Sequence, residues 1–429
     1  MSAPAGSAGR VPAVGGTRDV PAPDPIARDY ILLALRLEQH VPGSIDAYFG
    51  PADLKAQVDM EQPRSPAQLR DDAVALRARL AAEVPEPDRR DWLDVQIVAL
   101  EAQAGELADE HLPYLELVER YLSIAPPRHA DEEFRAASAT IDALLPGPGT
   151  TADRLAELDA RLVVPTDRIL AVTHWLVERF RAVARDRFGL PPGEDLRLGL
   201  VTQQPWGAYN WFNGGGRSRI DINTDLPMRA MGVPRVAAHE AYPGHHLEHA
   251  WKEADLVDRQ GRLENSVLVM NAPECVISEG LANIGFRFVA APDERVDLYA
   301  ELYERAGLAD PADPAANRRD AELTEALWAP RRVLSAVDGN AALLLHADGL
   351  SHDAVVDYLC DVGAYARVRA EKRMTFLEHP IWRTYVFVYA EGEALLERWL
   401  DAVPSDEQPA RFGRLLHEQL TPRAVTGPG

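Results

Sequence analysis

Apolar residues recur at helical spacing along most of the chain, beginning with the segment PIARDYILLALRLEQH at residues 25–40. There Ile26, Tyr30, Leu33 and Leu37 fall on one face of a helix. A spacing of three or four residues between apolar positions is typical of amphipathic helices that bury one face. The chain is therefore predicted to be mainly α-helical.

The same spacing predicts further helices, which are separated by proline-rich joints. The helix after Ser65 has the clearest start, because Ser65 is a suitable N-cap, Pro66 takes the first helical position and Gln68 completes a capping box. The other helices predicted for this half of the chain cover residues 89–107, 111–123, 131–144, 151–162 and 166–187.

The pattern changes in the segment LRLGLVTQQPWGAYNWFNGGGRSRIDINTDLP, residues 196–227, where apolar and polar residues alternate. Alternation of this kind predicts β structure, with RIDINTD as one strand and the turn at Gly214–Gly216 closing a hairpin onto it. Helical spacing then resumes and continues through SVLVMNAPECVISEGLANIGFRFVA. A small sheet placed before the next helix could hold an extended peptide along its edge by strand addition.

That next segment, VAAHEAYPGHHLEHAW at residues 236–251, contains four of the twelve histidines. In the HExxH motif of zinc proteases, two histidines one helical turn apart bind the metal and the glutamate between them activates water. His239 and Glu240 supply the first half of such a motif, but Pro243 stands where the second histidine is expected. The standard motif is therefore absent.

The next imidazoles, His245 and His246, could share a metal with His239 only if the helix is distorted. In a regular helix, position i+6 lies roughly 120° off the face and position i+7 lies about 10.5 Å further along the axis. Pro243 and Gly244 are suited to absorbing two extra residues, which would bring His245 to the place of an i+4 residue. His245 is the preferred ligand, the reverse assignment to His246 stays open, and the regularly spaced pair His245 and His249 ranks lower because it gives Glu240 no defined place.

Glu279, in the segment VISEGLANIGFRF, is the candidate for the third ligand. Zinc proteases that use a glutamate ligand carry it on a following helix, and the apolar residues around Glu279 would bury such a helix in the core. The competing interpretation is that Ser278 caps a helix and Glu279 only interacts favourably with its positive end.

Four segments together resemble the DUF885 family of bacterial proteins, namely RIDINTDLP, HEAYPGHHLEH, SEGLA and FLEHPIWRTYVFVYAEGEALL. The resemblance covers most of residues 24–400, and its most specific part is the HExxPGHH pattern. It implies a zincin-like helical fold similar to carboxypeptidase Taq and the thimet-type oligopeptidases. It also implies zinc near His239, Glu240, Glu279 and one of His245 and His246. The chain departs from many relatives at Leu281, where an aromatic residue is expected, and at Glu248, where glutamine is common.

These expectations divide the chain into three parts. Residues 1–24 are predicted to be a disordered leader, because they are rich in alanine, glycine and proline without the apolar core of a secretory signal. Residues 25–195 form an N-terminal helical region, and residues 196–429 form the catalytic, zincin-like region. We expect the two helical regions to be one continuous domain around a cleft.

Composition narrows the range of partners and compartments. A formal net charge of -22 is unfavourable for binding nucleic acid or an anionic membrane surface. Two cysteines cannot form a disulfide framework in a chain of 429 residues, which favours a reducing cytoplasm. No run approaches the roughly 20 apolar residues that span a bilayer. The sequence does not determine the oligomeric state.

The predicted function is zinc-dependent hydrolysis of an amide bond in a peptide or a peptide-like small molecule, with Glu240 accepting the proton of the attacking water. Tyr389 or Tyr385 is the candidate donor to the oxyanion, and Arg383 is the candidate anchor for a substrate carboxylate. Two alternatives are a non-catalytic helical binding or scaffold protein of the same fold and a metalloenzyme with another reaction on a small metabolite. The persistence of Glu240 favours the hydrolase.

Overall fold

The structure is a computed structural model that describes residues 24–204 and 206–427. It is mainly α-helical with two small sheets, as the sequence predicts. The α-helices are α1 Pro25–Glu38, α2 Ala52–Met60, α3 Pro66–Glu83, α4 Pro87–Leu107, α5 Tyr114–Leu122, α6 Asp131–Leu144, α7 Thr151–Arg161, α8 Thr166–Phe188, α9 Val233–Glu240, α10 His245–Lys252, α11 Pro273–Val289, α12 Arg295–Ala306, α13 Pro314–Ser335, α14 Val337–His346, α15 His352–Asp361, α16 Arg367–Leu377, α17 Trp382–Asp401, α18 Gln408–His417 and α19 Pro422–Thr426. The strands are β1 Ile45–Tyr48, β2 Asp195–Val201, β3 Ala208–Phe212, β4 Arg217–Asn223 and β5 Val267–Val269.

The helix boundaries of the first half follow the capping signals in the sequence. At the start of α3, the Ser65 hydroxyl accepts a hydrogen bond from the Gln68 amide at 3.3 Å, and the Gln68 side chain accepts one from the Ser65 amide at 2.9 Å. This reciprocal pair is the predicted capping box. Of the predicted leader, residues 1–23 lie outside the described residues, and the Asp24 side chain caps α1 by accepting from the Ala27 amide.

The sheet that precedes the histidine-rich segment has the strand order β2-β4-β3. Strands β3 and β4 form the predicted antiparallel hairpin, and Gly214, Gly215 and Gly216 between them have φ values of 72°, 72° and 64°. Glycine adopts such positive φ values without steric strain, which explains the run of three. Strand β2 pairs with β4 in parallel, so β3 is an edge strand.

A second sheet was not predicted, because both of its strands are very short. Strand β1 pairs with β5 in an antiparallel arrangement. Strand β5 lies in a segment for which a continuous helix was expected, and this expectation is wrong. The β-branched residues Val267 and Val269 pair with β1, Asn271 turns the chain with a φ of 56°, and the helix begins only at Pro273.

Two hydrophobic clusters form the core within the described residues. The first joins helices α1–α4 to residues 257–272, and the second joins helices α5–α8 to the second half of the chain. The clusters therefore do not divide at residues 195 and 196. Each cluster packs residues from both halves of the sequence, and the segment from 257 to 272 connects the first cluster to α11.

Helices α11 and α17 cross at two glycines. A Cβ atom on Gly280 would lie 2.5 Å from the carbonyl oxygen of Gly392, and one on Gly392 would lie 2.4 Å from that of Val276. Only glycine allows the two backbones to approach so closely. This crossing places Glu279 on α11 beside Tyr385 on α17. In the described part of the chain, every helix is too short or too polar to cross a lipid bilayer.

Candidate metal centre

The histidine-rich segment forms two short helices separated by a tight turn. Helix α9 ends at Glu240 and α10 begins at His245, so the chain breaks the helix instead of widening it as the sequence analysis expected. The Gly244 amide donates to the Ala238 carbonyl at 3.0 Å, and a Cβ atom at this position would lie only 1.8 Å from the carbonyl oxygen of His239. Gly244 therefore lets the second helix restart directly against the end of the first.

This turn brings the imidazoles of His239 and His245 together, and Glu279 reaches them from α11. The distances are 3.1 Å between the two Nε2 atoms, 3.3 Å from His239 Nε2 to Glu279 Oε2 and 3.8 Å from His245 Nε2 to Glu279 Oε2. A circle through these three atoms has a radius of about 2.0 Å, which matches zinc–ligand distances for imidazole and carboxylate. The three side chains that the sequence nominated thus converge on one point.

A buried carboxylate oxygen supports the fit of these residues to a metal ion. Glu279 is 9% exposed, and its Oε2 atom has no hydrogen-bond donor among the described residues. Its other oxygen, Oε1, accepts from the Tyr385 hydroxyl at 2.9 Å. A buried carboxylate oxygen without a donor is unfavourable unless a cation neutralises it, so Oε2 is suited to metal binding.

The ring nitrogens on the far side of each imidazole have their own partners. Nδ1 of His239 lies 3.0 Å from Asn283 Oδ1, and Nδ1 of His245 lies 3.1 Å from the Ser278 hydroxyl. The Ser278 hydroxyl donates to Glu248 Oε2 at 2.6 Å, which leaves its lone pairs to accept from the His245 ring. In a metal-bound state, these contacts would hold the proton of each ring on Nδ1 and present Nε2 as the ligand atom.

Electrostatics also favour a cation at this point. Burial works against a charged His245, but the carboxylates of Glu248, Glu279 and Glu240 outweigh it and raise the pKa of His245 to about 9. Burial also raises the pKa of Glu240. For Glu279, the effect of burial is outweighed by His239, His245 and Tyr385, so that its pKa is lowered. The group therefore concentrates negative charge around two imidazoles, which is the environment that a divalent ion neutralises.

His246 does not belong to this group, which corrects its place among the candidate ligands. It is 0% exposed, its Nδ1 atom lies 2.8 Å from Ser218 Oγ and its Nε2 atom lies 3.0 Å from Glu194 Oε2. Adjacent residues of a helix point about 100° apart, so the ring of His246 faces the sheet when His245 faces the metal site. Glu194 also accepts from Tyr242 and Arg181, and these donors together with His246 outweigh burial and lower its pKa to about 2.

A second possible ligand group contains His245, Glu248 and His249. Glu248 is already engaged, because it accepts from Ser278 and from Lys252, the latter at 2.8 Å. The rings of His245 and His249 are stacked with centroids 5.8 Å apart, and burial is the main cause that lowers the pKa of His249 to about 3. Because the Glu248 carboxylate already has two donors, this second group is a weaker candidate metal site than the first, in which Glu279 Oε2 has no donor among the described residues.

The three candidate ligands, His239, His245 and Glu279, line a cavity of about 490 Å³. Strand β3 contributes its edge through Ala208, Tyr209 and Asn210, and the Asn210 amide donates to the Glu240 carbonyl at 2.7 Å. The Glu240 carboxylate also lines the cavity, and it has no hydrogen-bond donor within the described residues. Asn213, in the turn that follows β3, lies outside the cavity lining, and its side-chain amide donates to the Trp211 carbonyl within the hairpin.

Two of the three residues predicted on α17 reach the cavity. Tyr385 donates to Glu279 and therefore holds a candidate ligand in place. Tyr389 also lines the cavity, its side chain is 38% exposed, and its hydroxyl has no partner among the residues described. Arg383 does not line the cavity, because its guanidinium forms an ion pair with Glu106. This position does not favour its predicted role as an anchor for a substrate carboxylate.

Four residues of the cavity wall were not predicted as site residues from the sequence, two of them on α11 near Glu279 and two from distant segments. Asp46 on β1, Glu274 and Ser278 on α11 and Arg373 on α16 all line the cavity. Ser278 lies in the interior of α11, so the alternative that it caps this helix is wrong. A signal was present for Asp46, a lone carboxylate inside the otherwise apolar and aromatic run from Ile45 to Phe49.

Comparison with known proteins shows that this chain is similar in fold to solved structures. No known family and no curated protein matches the chain. A solved structure named as a "putative lipoprotein" from Colwellia psychrerythraea is similar, with a TM-score of 0.51, 15% sequence identity and a match over 84% of this chain and 66% of that one. A protein of unknown function from Shewanella oneidensis, named in the same way, matches 93% of this chain and 82% of its own with a TM-score of 0.47 and 12% identity.

The chain thus spans somewhat less than two thirds of the Colwellia protein, and the likeness to that protein concerns the fold. The resemblance to the DUF885 family stays a prediction, carried by the sequence motifs alone.

Proposed function

We propose that this protein is a zinc-dependent hydrolase that cleaves an amide bond in a peptide or a peptide-like small molecule. The observation that carries the proposal is the convergence of His239 Nε2, His245 Nε2 and Glu279 Oε2 at separations of 3.1 to 3.8 Å beside a cavity. Two imidazoles and one carboxylate are the ligand set of catalytic zinc sites that keep a position open for water or substrate.

Zinc held by these ligands would polarise the substrate carbonyl and lower the pKa of water. Glu240 is the general base in this proposal. Its carboxylate lies in the cavity wall next to the ligand set and accepts a proton from water as the water oxygen attacks the carbonyl carbon. When the carbon–nitrogen bond breaks, Glu240 returns this proton to the leaving amine. Burial, which raises the pKa of Glu240, makes the carboxylate a stronger base for this transfer.

Tyr389 is the proposed donor to the negative charge that develops on the carbonyl oxygen. A tyrosine hydroxyl is protonated at neutral pH, and that of Tyr389 has no other partner among the described residues, whereas Tyr385 already donates to Glu279. The edge of β3 offers backbone groups along which an extended peptide could pair. The Tyr389 hydroxyl and the edge of β3 together would orient the scissile bond over the three ligands.

The test begins with the metal content of protein purified without added zinc, in the wild type and in the His245→Ala and Glu240→Gln variants. We expect about one zinc per chain in the wild type and in Glu240→Gln, and a loss of metal in His245→Ala. Hydrolysis of a mixed peptide library, followed by mass spectrometry, should fall by about 10²- to 10⁴-fold in Glu240→Gln, because the general base is removed.

Glu378→Gln is the matched control, since this exposed carboxylate pairs with His352 outside the cavity and its loss should leave hydrolysis unchanged. Equal turnover by the wild type and Glu240→Gln would overturn the mechanism. A wild type that holds zinc and cleaves nothing would favour the binding or scaffold alternative, and turnover of a small metabolite alone would favour a different metalloenzyme.

We further propose membership of the DUF885 family and a cytoplasmic location. The family proposal is supported by the HExxPGHH pattern, and the location by two cysteines that form no disulfide with each other. The term lipoprotein belongs to the names of the two similar structures. Fractionation of cells that express the native gene would test the location, and recovery of the protein with membranes would contradict it.

A further inference from the structure

A β-bulge in strand β1 directs an unpredicted carboxylate into the cavity. Ile45 pairs with Val269 and Ala47 pairs with Leu268, so that Asp46 is the extra residue between two consecutive pairs. Bulges of this kind re-aim a side chain and are over-represented next to active sites. The side chain of Asp46 lines the same cavity as Glu240 and the three metal ligands.

The segment before the bulge is held in place by Glu38. This side chain accepts hydrogen bonds from the Ser44 hydroxyl and the Ile45 amide, both at 2.8 Å, and from the Gly43 amide at 2.9 Å. The position of Asp46 is therefore fixed by α1 on one side and by β5 on the other. A preorganised carboxylate binds a ligand without the entropy loss of ordering a loop.

Apart from the proposed ligands and the general base, the cavity wall carries the charged residues Asp46, Glu274 and Arg373. Asp46 differs from the other two because it has no partner of its own among the described residues. The carboxylate of Glu274 forms an ion pair with Lys252, and the guanidinium of Arg373 pairs with Asp338 at 2.8 Å. Asp46 has no hydrogen bond or ion pair to any residue that the structure describes. Burial, with added repulsion from Glu279 and Glu240 against the opposing effect of His245, raises its pKa to about 7.

This balance of charges determines what the cavity can bind. The wall carries the four carboxylates of Asp46, Glu240, Glu274 and Glu279, and its one guanidinium is already neutralised. A divalent ion would compensate charge at the ligand set, and Lys252 is shared between Glu274 and Glu248, so that Asp46 has no cation of its own. The carboxylate of a substrate would be repelled here, whereas an ammonium group would supply the missing partner.

We propose that Asp46 binds the free α-ammonium group of a peptide, so that the cavity receives the N-terminal end of its substrate. This inference rests on the proposed hydrolase function and specifies its substrate class. Two pairs of aromatic side chains line the cavity, Trp206 and Tyr209 with ring centroids 5.4 Å apart and Phe376 and Trp382 stacked at 5.3 Å. A cavity of about 490 Å³ with such walls fits an N-terminal residue with an apolar or aromatic side chain.

Binding is the first arm of the test. Calorimetry compares L-phenylalaninamide with N-acetyl-L-phenylalaninamide on the zinc-loaded wild type, Asp46→Asn and Asp53→Asn, the last being a matched control on the exposed start of α2. We expect Asp46→Asn to bind the free amine about 10- to 100-fold more weakly than the wild type, the range of a lost charge-assisted hydrogen bond. Affinity for the acetylated compound should not change, and Asp53→Asn should behave as the wild type.

Hydrolysis is the second arm and separates this inference from the function on which it rests. Phe-Ala-Ala-amide and its N-acetylated form are offered to the wild type and to Asp46→Asn, with zinc content and melting temperature measured for both proteins. The wild type should prefer the free amine by about tenfold or more, and Asp46→Asn should lose this preference.

Equal cleavage of the two peptides by the wild type, or the same preference in Asp46→Asn, would overturn the role of Asp46 and leave the hydrolase proposal intact. Asp46-dependent binding of the amine without cleavage of either peptide would support the ammonium site and refute the hydrolase.

Discussion

At the scale of single residues, Ser278 connects His245, a ligand in the proposed zinc site, to a buried carboxylate. Its hydroxyl lies 3.1 Å from Nδ1 of His245 and donates to Glu248 at 2.6 Å, and Glu248 is held in turn by Lys252. Partners of this kind fix the tautomer and the orientation of a metal-binding imidazole. The exposed surface contributes nothing to this chain of contacts, because Ser278, Glu248 and Lys252 are all buried.

Replacing Ser278 by alanine should therefore weaken zinc binding by about 10- to 100-fold, the usual effect of losing a partner of a ligand imidazole. Competition with a chromogenic zinc chelator measures this change. Ser266→Ala is the control, because Ser266 is also buried and its hydroxyl donates to the Leu263 carbonyl at 2.7 Å, away from the ligands. An unchanged zinc affinity in Ser278→Ala would contradict the role assigned to this contact.

Sequence spacing was informative for residues of the local motif and uninformative for distant ones. Helical geometry showed that a regular helix could not bring either His245 or His246 to a metal bound by His239. The Pro243–Gly244 pair indicated where the backbone departs from a regular helix. Spacing could not select between two adjacent histidines, since the selection depends on how α10 leaves the turn. Arg373 could not be assigned to the site, because tertiary packing alone brings it there, and the lone carboxylate of Asp46 in an apolar run indicated an unusual position without indicating which site it joins.

At the scale of elements, the turn between α9 and α10 determines whether the ligands meet. The chain completes this turn in four residues, and the hydrogen bond from the Gly244 amide to the Ala238 carbonyl holds the two helices together. The backbone of Gly244 lies directly against that of His239, so there is no space for a side chain.

Gly244→Ala should consequently displace His245 from His239. A Cβ atom 1.8 Å from one carbonyl oxygen and 2.5 Å from another forces the backbone to move, and we expect a loss of about 3 kcal/mol of stability together with the loss of tight zinc binding. Urea denaturation and zinc titration measure the two effects. Gly413→Ala in α18 is the control, because nothing lies within 4 Å of its Cβ position and alanine there should be neutral or stabilise by up to about 1 kcal/mol. Wild-type zinc affinity in Gly244→Ala would refute this account.

Long elements were predictable from the sequence and short ones were not. Helices such as α3 and α8 combine an apolar face with a capping residue or a proline at the first turn, so local signals define them. Strands β1 and β5 have four and three residues, too few for an alternating pattern to be recognised, and each is stable only because it pairs with the other. The carboxylate of Asp46 depends on that pairing and was missed for the same reason.

At the scale of the whole molecule, a metal ion would link three helices that are otherwise joined by a turn and by packing. His239, His245 and Glu279 belong to α9, α10 and α11 respectively. Within the second hydrophobic cluster these helices pack against residues from α8 and α17. Metal binding should therefore stabilise the fold as a whole as well as the site.

Removal of zinc by a chelator should lower the melting temperature, and its return should restore it. Free zinc at 1,000 times its dissociation constant stabilises the native state by about 4 kcal/mol, which corresponds to a shift of several degrees in a protein of this size. Differential scanning calorimetry measures the shift. In His245→Ala the melting temperature should not respond to zinc, and a response equal to that of the wild type would place the bound metal elsewhere.

The crossing of α11 and α17 at Gly280 and Gly392 limits which parts of the cavity wall can change during evolution. Since the two backbones touch there, a larger residue at either glycine would move Glu279 and Tyr385 together and disturb the chemistry for every substrate. The cavity-lining residues 206–210, in β3 and the segment before it, and the side chains of Phe376 and Trp382 take no part in this crossing. We expect descendants of this chain to acquire new preferences through exchanges at those positions while the glycine pair stays invariant.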